Sequence, residues 1–115
     1  MRMITIYHNS RCGKSRNALH ILEEKNIPFK VVEYLKEVPS MAEITEIVKK
    51  LGIAPYELIR TKEQVYLEQY KGKQLSDKEW IVAMHQHPIL IERPIVINGN
   101  KAVVARPPER VLDIL

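Results

Sequence analysis

Apolar and polar residues follow two different periods along the chain, and the switches between them predict the order of its elements. Met3-Ile4-Thr5-Ile6-Tyr7 is a short β-rich run ending at His8. From Ser15 to Asn26, Leu19 and Leu22 recur at helical spacing. Phe29-Lys30-Val31-Val32-Glu33-Tyr34 then reads as a second strand. Because a helix separates the two strands, they pair most simply in parallel through a right-handed crossover, and a βαβ unit opens the fold.

The middle of the chain is predicted to be helical. Ser40 with Glu43, Thr61 with Gln64, and Ser76 with Glu79 form S/T-x-x-E/Q boxes. In such a box the hydroxyl and the later carboxylate or amide each satisfy an orphan N–H at a helix start. The first of these helices carries Ile44, Ile47, Val48 and Leu51 on one stripe and stops at Gly52. Pro55 opens a short helix running toward Arg60. The helix that starts at the third box carries a core-facing Trp80 with Ile81 and Met84, and ends before Pro88.

After Pro94 the strand period returns, as Ile95-Val96-Ile97, then Asn98-Gly99, then Ala102-Val103-Val104-Ala105. Asn-Gly accepts the positive φ angles of a tight turn, so this stretch is a hairpin. Arg106-Pro107-Pro108 breaks the second strand. The tail from Glu109, with Val111, Leu112 and Leu115 apolar, is predicted as a short helix packed back on the sheet. No linker, repeat or low-complexity segment divides the chain, so residues 1–115 are expected to form a single domain. The order βαβ, helices, ββα is that of a thioredoxin-like α/β domain. Its sheet is four-stranded and mixed, with a helical insertion between the βαβ and ββα units.

With 115 residues, 45% of them apolar, the chain is globular and long enough to bury a core without staples. Its single cysteine excludes an internal disulfide. No N-terminal stretch resembles a signal peptide, and no run approaches the ~20 apolar residues of a membrane span, so the cytoplasm is the expected address. The net charge is +4, but the 18 Lys and Arg residues are interleaved with 14 acids. Without a basic patch nucleic acid is not an expected partner, whereas a mild positive excess favours a small anionic substrate.

Candidate chemistry centres on Cys12, in His8-Asn9-Ser10-Arg11-Cys12-Gly13-Lys14-Ser15-Arg16, between the first strand and the first helix. Most free cysteines are small buried hydrophobes. Here, burial of all the flanking cations would leave charge unpaired, so a partly exposed, reactive thiol is expected. Helix N–H groups and nearby positive charge both favour thiolate, the nucleophilic form. A tetrahedral oxyanion calls for guanidinium forks and free backbone N–H groups, and Arg60, Arg93 and Arg106 each sit beside an element end. His85 and His87 are i,i+2 on a helix, point to different faces, and are expected to be surface residues, so no metal site is expected.

Four separated motifs now bear on identity: His8-Asn9 with Arg11-Cys12-Gly13-Lys14-Ser15-Arg16-Asn17, Leu58-Ile59-Arg60, Glu92-Arg93-Pro94-Ile95-Val96, and Ala105-Arg106-Pro107-Pro108-Glu109. In this order, and over nearly the whole chain, they resemble the glutaredoxin-linked arsenate reductase family. The resemblance implies a nucleophilic Cys12 at the N-terminus of the first helix. It also implies that Arg60, Arg93 and Arg106 bind the oxyanion and stabilise the thiolate, and that Pro94 is a cis-proline. Arsenate is then the substrate, attacked by Cys12. Glutathione serves as cosubstrate, glutaredoxin as the resolving partner, and no bound cofactor is implied. A chain-internal disulfide relay needs a second cysteine, and a phosphatase-like loop needs a longer spacing than that from Cys12 to Arg16.

Supporting roles follow for neighbouring residues. A His8 imidazolium would stabilise the thiolate or hold the loop, and a strand-end histidine also caps backbone groups. Ser15 stands where a dithiol enzyme carries its resolving cysteine, and its hydroxyl either donates to the sulfur or caps the helix. Arg16 adds charge to the same turn. Ser10 replaces the family's usual proline two residues before the cysteine, which removes a φ restraint from the turn. Two other classes share the fold. A Spx-like transcription regulator that binds RNA polymerase usually carries Cys-x-x-Cys, where this chain has Cys12-Gly13-Lys14-Ser15. A monothiol glutaredoxin-like iron–sulfur carrier shares the Cys-Gly-x-Ser string but has no use for the arginine motifs.

Overall fold

β1 (Ile4–His8) places Ile4, Ile6 and His8 on a buried face and leaves Thr5 and Tyr7 half-buried, the period-two pattern of a strand covered mainly on one side. The computed structural model describes residues 4–115, so the Met3 of the predicted strand lies outside the described residues. β1 pairs in parallel with β2 (Phe29–Glu33), as the crossover requires. On its other side it pairs antiparallel with β3 (Ile95–Asn98), which in turn pairs antiparallel with β4 (Lys101–Val104). The sheet is four-stranded and mixed, ordered β2-β1-β3-β4.

Backbone contacts divide the chain into two compact units, one comprising the chain up to Glu37 together with Arg93–Leu115, the other Val38–Glu92. In the first unit, α1 (Gly13–Glu24) lays Ala18 and Leu22 onto Ile4, Ile6, Val96 and Val103 of the sheet. A C-terminal 3-10 helix, Pro108–Ile114, adds Val111 and Ile114 to the same core. Leu22, Ile6, Val96 and Val111 are completely buried, and each such side chain contributes roughly 1.5–3 kcal/mol of transfer free energy. The tail does pack back as expected, but through Val111 and Ile114, whereas Leu112 and Leu115 are exposed. The first helix also begins earlier than its apolar spacing suggests. Gly13 and Lys14 carry no periodic apolar signal, yet the Cys12 carbonyl already accepts the Arg16 N–H at 3.1 Å. That helix ends at Glu24, and Asn26 turns the chain at φ 55° in the left-handed region that asparagine tolerates.

The hairpin between β3 and β4 is shifted by one residue from the expected Asn98-Gly99. Asn98 pairs with Lys101, so Gly99 and Asn100 form the loop, with Gly99 supplying the positive φ of 63°. Asn98 instead closes β3, and its Nδ2 donates to the carbonyl of Ile114.

In the second unit α2 (Met41–Leu51) starts at a capping box in which Glu43 N–H donates to Ser40 Oγ and Ser40 N–H to Glu43 Oε1. Gly52 stops it at φ 69°. A 3-10 turn, Pro55–Leu58, follows. The Ser76–Glu79 box opens α4 (Asp77–Gln86) as read. The Thr61–Gln64 box does not form. α3 (Gln64–Gln69) has Glu63 at its N-cap, and the Glu63 carboxylate is turned onto Arg60. Trp80 is buried beneath Tyr56, Tyr66 and Tyr70, with ring centroids 5.0–6.4 Å away. Among the described residues no helix is long and apolar enough to cross a membrane.

Leu22→Ala empties a fully buried position, so it is expected to lower the free energy of unfolding by about 2–5 kcal/mol. Leu112→Ala, at a side chain that is 46% exposed, is expected to change it by less than about 0.5 kcal/mol. Urea unfolding followed by circular dichroism measures both, and similar losses would contradict the packing of the tail described above.

Candidate active site

The turn between β1 and α1 is held by bonds that converge on Asn9. Cys12 N–H donates to the Asn9 carbonyl at 2.9 Å, and Arg11 N–H donates to Asn9 Oδ1 at 3.0 Å. The second bond is an Asx turn, in which the asparagine side chain mimics backbone. Asn9 N–H reaches Ser15 Oγ at 3.4 Å, and Arg16 Nη1 donates to the Ser10 carbonyl at 2.9 Å. The turn is thereby restrained at Ser10, where the chain lacks proline's fixed φ. Asn9 has no expected role beyond its membership of the motif around Cys12; its place directly after a strand and before a helix start is the signal for this one.

Cys12 is half-buried and is itself the N-cap of α1, with φ −97° and ψ 121°. No side-chain cap bond of the usual kind closes this end. The sulfur stands where a capping oxygen would, toward the unpaired N–H groups of the first turn. Burial pushes the thiol pKa up, but interactions with the Ser15 N–H, the Arg93 side chain, the Lys14 N–H and the Ser15 hydroxyl outweigh it. The net shift is downward from the ordinary thiol value. Of the residues flanking the sulfur, Arg11, Gly13, Lys14 and Arg16 are exposed and Ser15 is fully buried.

Arg93 lies just before β3 and hydrogen-bonds the Cys12 sulfur. Burial disfavours its charge, but Tyr34 and Cys12 act in the other direction and raise its pKa, so the guanidinium stays charged. Tyr34, 1% exposed and last in the predicted second strand, is a partner to which the sequence pattern assigns no role beyond that strand. Arg106, just past β4, donates from Nη1 to the Arg93 carbonyl at 3.2 Å. The Arg93–Pro94 bond is cis, as the resemblance implied, and Arg106–Pro107 is cis as well.

His8 is buried at the end of β1, and its Nδ1 has no hydrogen-bond partner among the described residues. Burial lowers its pKa, with Arg16 adding to that effect and Glu33 opposing it; the direction favours neutral imidazole. A cavity of ≈ 240 Å³ opens beside the turn, lined by residues that include His8, Ser10, Arg11, Glu33 and Lys36 but not Cys12.

The first unit therefore brings Cys12, Ser15, Arg93 and Arg106 together, with His8, Arg16 and Pro94 in the adjoining segments. Arg60 belongs to the second unit, where Ile59 and Ile91 form an isolated antiparallel bridge. There it is paired with Glu63 and Glu92. His85 and His87 lie half-buried at the C-terminal end of α4, and each has a partner within the protein. His85 Nδ1 lies 2.9 Å from the Pro39 carbonyl, and His87 packs edge-on against Tyr70. Among the described residues no group of His, Cys, Asp and Glu is arranged to hold a metal.

The sequence profile of the ArsC family matches residues 7–114, a span that includes the Cys12 turn, Arg60, Arg93 and Arg106. The chain belongs to the ArsC family. An arsenate reductase of Haemophilus influenzae is 46% identical over 114 residues, covering 97% of this chain and 98% of that protein. A relative from Escherichia coli K12, 41% identical over 116 residues and covering 99% of this chain and 98% of its own, bears only the name uncharacterized protein YfgD. The structure of an arsenate reductase from Vibrio cholerae matches with a TM-score of 0.95 at 43% identity, over 99% of this chain and 98% of that one. The thioredoxin-like α/β fold expected from the element order is thus the fold of this ArsC family member.

Because the folded state lowers the Cys12 pKa, the thiolate fraction near neutrality exceeds that of a free cysteine. Iodoacetamide alkylation is expected to show a midpoint below the ordinary thiol value, and Arg93→Ala is expected to move it up and slow alkylation at neutral pH several-fold. The linked stability has the sign of a depressed acid. It is present at high pH and is lost as pH falls through the folded-state pKa. A midpoint unmoved by Arg93→Ala would remove the guanidinium from the account of the thiolate.

Proposed function

We propose that the chain reduces arsenate to arsenite, with Cys12 as the nucleophile and external thiols as the electron source. The observation that carries this reading is the convergence on one sulfur of the Arg93 guanidinium and the first-turn N–H groups of α1. The same donors suit a tetrahedral oxyanion, because planar guanidinium forks and helix N–H groups match its oxygens. The likeness to proteins named arsenate reductase supports the choice of arsenic.

In the proposed reaction the Cys12 thiolate attacks arsenic, forming an S–As bond while a protonated oxygen departs as water or hydroxide. Glutathione then adds its thiol to the arsenic in place of a second oxygen. A glutaredoxin thiol attacks the glutathione sulfur. The new S–S bond forms as the S–As bond breaks, and the electron pair of that bond stays on arsenic, which passes from As(V) to As(III). Water then displaces Cys12 as arsenite leaves, and the thiolate is regenerated. Two electrons enter from two external thiols, so the chain needs no second cysteine of its own.

Within this scheme Arg93 holds both the thiolate and the incoming oxyanion, and Arg106 orients Arg93 through its carbonyl while adding positive charge. Arg60 is a further oxyanion ligand. Ser15 donates to the sulfur and fixes the turn, Arg16 closes the turn onto Ser10, and Pro94 follows Arg93 directly in the chain. A chemistry that depends on reduced glutathione and glutaredoxin belongs in the cytoplasm.

The test is arsenite formation by the purified protein with glutathione and glutaredoxin. Cys12→Ser is expected to abolish it. Arg60→Ala and Arg93→Ala are each expected to raise KM for arsenate by about tenfold or more, the size of a lost charge-assisted contact, with melting temperatures little changed. Arsenite production that survives Cys12→Ser would overturn the mechanism.

A further inference from the structure

The ≈ 240 Å³ cavity beside the Cys12 turn has no part in the steps described above. Its walls come from the ends of the two parallel strands. His8 closes β1 and Glu33 closes β2, and the register sets these two residues opposite each other. Past β1, the Asx turn at Asn9 carries Arg11 onto one wall. Past β2, Lys36 N–H donates to the Glu33 carbonyl at 2.9 Å and Glu37 N–H to the same oxygen at 2.8 Å. That turn keeps Glu33, Leu35 and Lys36 together on the other wall.

Both walls lead directly to the sulfur site. Arg11 immediately precedes Cys12. Tyr34, between Glu33 and Leu35, is the buried residue that helps to keep Arg93 charged against the sulfur. Burial favours neutral imidazole at His8, so the charges around the cavity are the cations of Arg11 and Lys36 and the carboxylate of Glu33. Glu33 and Lys36 lie 3.7 Å apart, with side chains 39% and 78% exposed, and so solvated a pair yields readily to a ligand. Among the described residues no carboxylate is paired with Arg11.

We infer that this cavity seats the amino-acid head of the γ-glutamyl residue of glutathione, with Glu33 accepting from its ammonium and Arg11 and Lys36 donating to its carboxylate. The inference rests on the proposed use of glutathione as an external thiol. An α-amino-acid head carries one charge of each sign on a single carbon, which matches two cations and one carboxylate set around a small space. The glycine end carries a carboxylate alone and would leave Glu33 facing an anion. Pockets that enclose a whole drug-sized ligand run to about 300–1,000 Å³, so this one takes an end of the tripeptide and leaves the rest outside. An extended residue spans roughly 3.5 Å. With the head seated beside Arg11, the glutathione thiol is about two such lengths away and reaches Cys12, the next residue of the chain.

The test uses S-methylglutathione, whose blocked sulfur cannot react, and follows its binding to the full chain by amide NMR shifts. Shifts are expected at Arg11, Glu33 and Lys36. Removing the glycine from the probe is expected to leave its affinity unchanged. Removing the γ-glutamyl amino group is expected to weaken it about fivefold, the size of one exposed charge pair. Glu33→Gln is expected to weaken the intact probe by the same factor and to leave the des-amino probe unaffected, whereas Arg11→Ala weakens both. Absence of shifts at these residues, loss of binding with the glycine, indifference to the amino group, or equal weakening of both probes by Glu33→Gln would overturn the assignment. Failure of the underlying reading looks different, because arsenite formation with glutathione and glutaredoxin would then be absent while the unreactive probe still bound the cavity.

Discussion

The stabilisation of one sulfur anion by positive groups is the interaction on which the rest depends. Burial alone would keep Cys12 protonated and inert, since a thiolate loses solvation as it leaves water. The Lys14 and Ser15 N–H groups and the Arg93 guanidinium reverse that preference. The N-terminus of α1 contributes because its N–H groups have no intrahelical partner, and Arg93 contributes a full charge that Tyr34 helps to retain. Neither is a property of the cysteine, so the reactivity belongs to the fold.

The fold builds that environment from distant parts of the chain. The β1 strand delivers Asn9 to the sheet end, where its backbone and side chain wind the next residues into a turn. α1 is anchored by Ala18 and Leu22, which fixes where its first N–H groups point. β3 lies beside β1, and Arg93 stands two residues before it, so strand pairing brings a guanidinium from far along the chain to the same end of the sheet. Arg106 follows β4 and bonds the Arg93 carbonyl, which ties the second arginine to the first through the hairpin register.

Local chemistry was readable from the residues, and long-range pairing was not. The Ser40–Glu43 and Ser76–Glu79 boxes formed because every group they need lies within one turn. Thr61–Gln64 had the same spelling and failed, since Glu63 is engaged by Arg60 and Arg60 also by Glu92, a partner in a remote segment. The start of α1 was placed late because Gly13 and Lys14 have no apolar period, while the helix is defined there by hydrogen bonds. The register of the hairpin was missed by one residue, because Asn98 is drawn to the Ile114 carbonyl. Cys12 and the motifs around Arg93 and Arg106 were visible as candidates, but Tyr34 looked like an ordinary strand end until Arg93 was found against it.

The outer strands of the sheet have a further consequence. Among the described residues β2 and β4 each pair on one side only, and the outer side of such a strand presents backbone N–H and C=O groups to the strands of other molecules. β2 carries exposed Lys30 and half-buried Glu33, and β4 begins with exposed Lys101. A foreign strand docking there would strip water from those charges, and β4 is followed closely by Arg106 and Pro107, the latter unable to donate to a ladder. Short, charged margins of this kind resist edge-to-edge growth into fibrils.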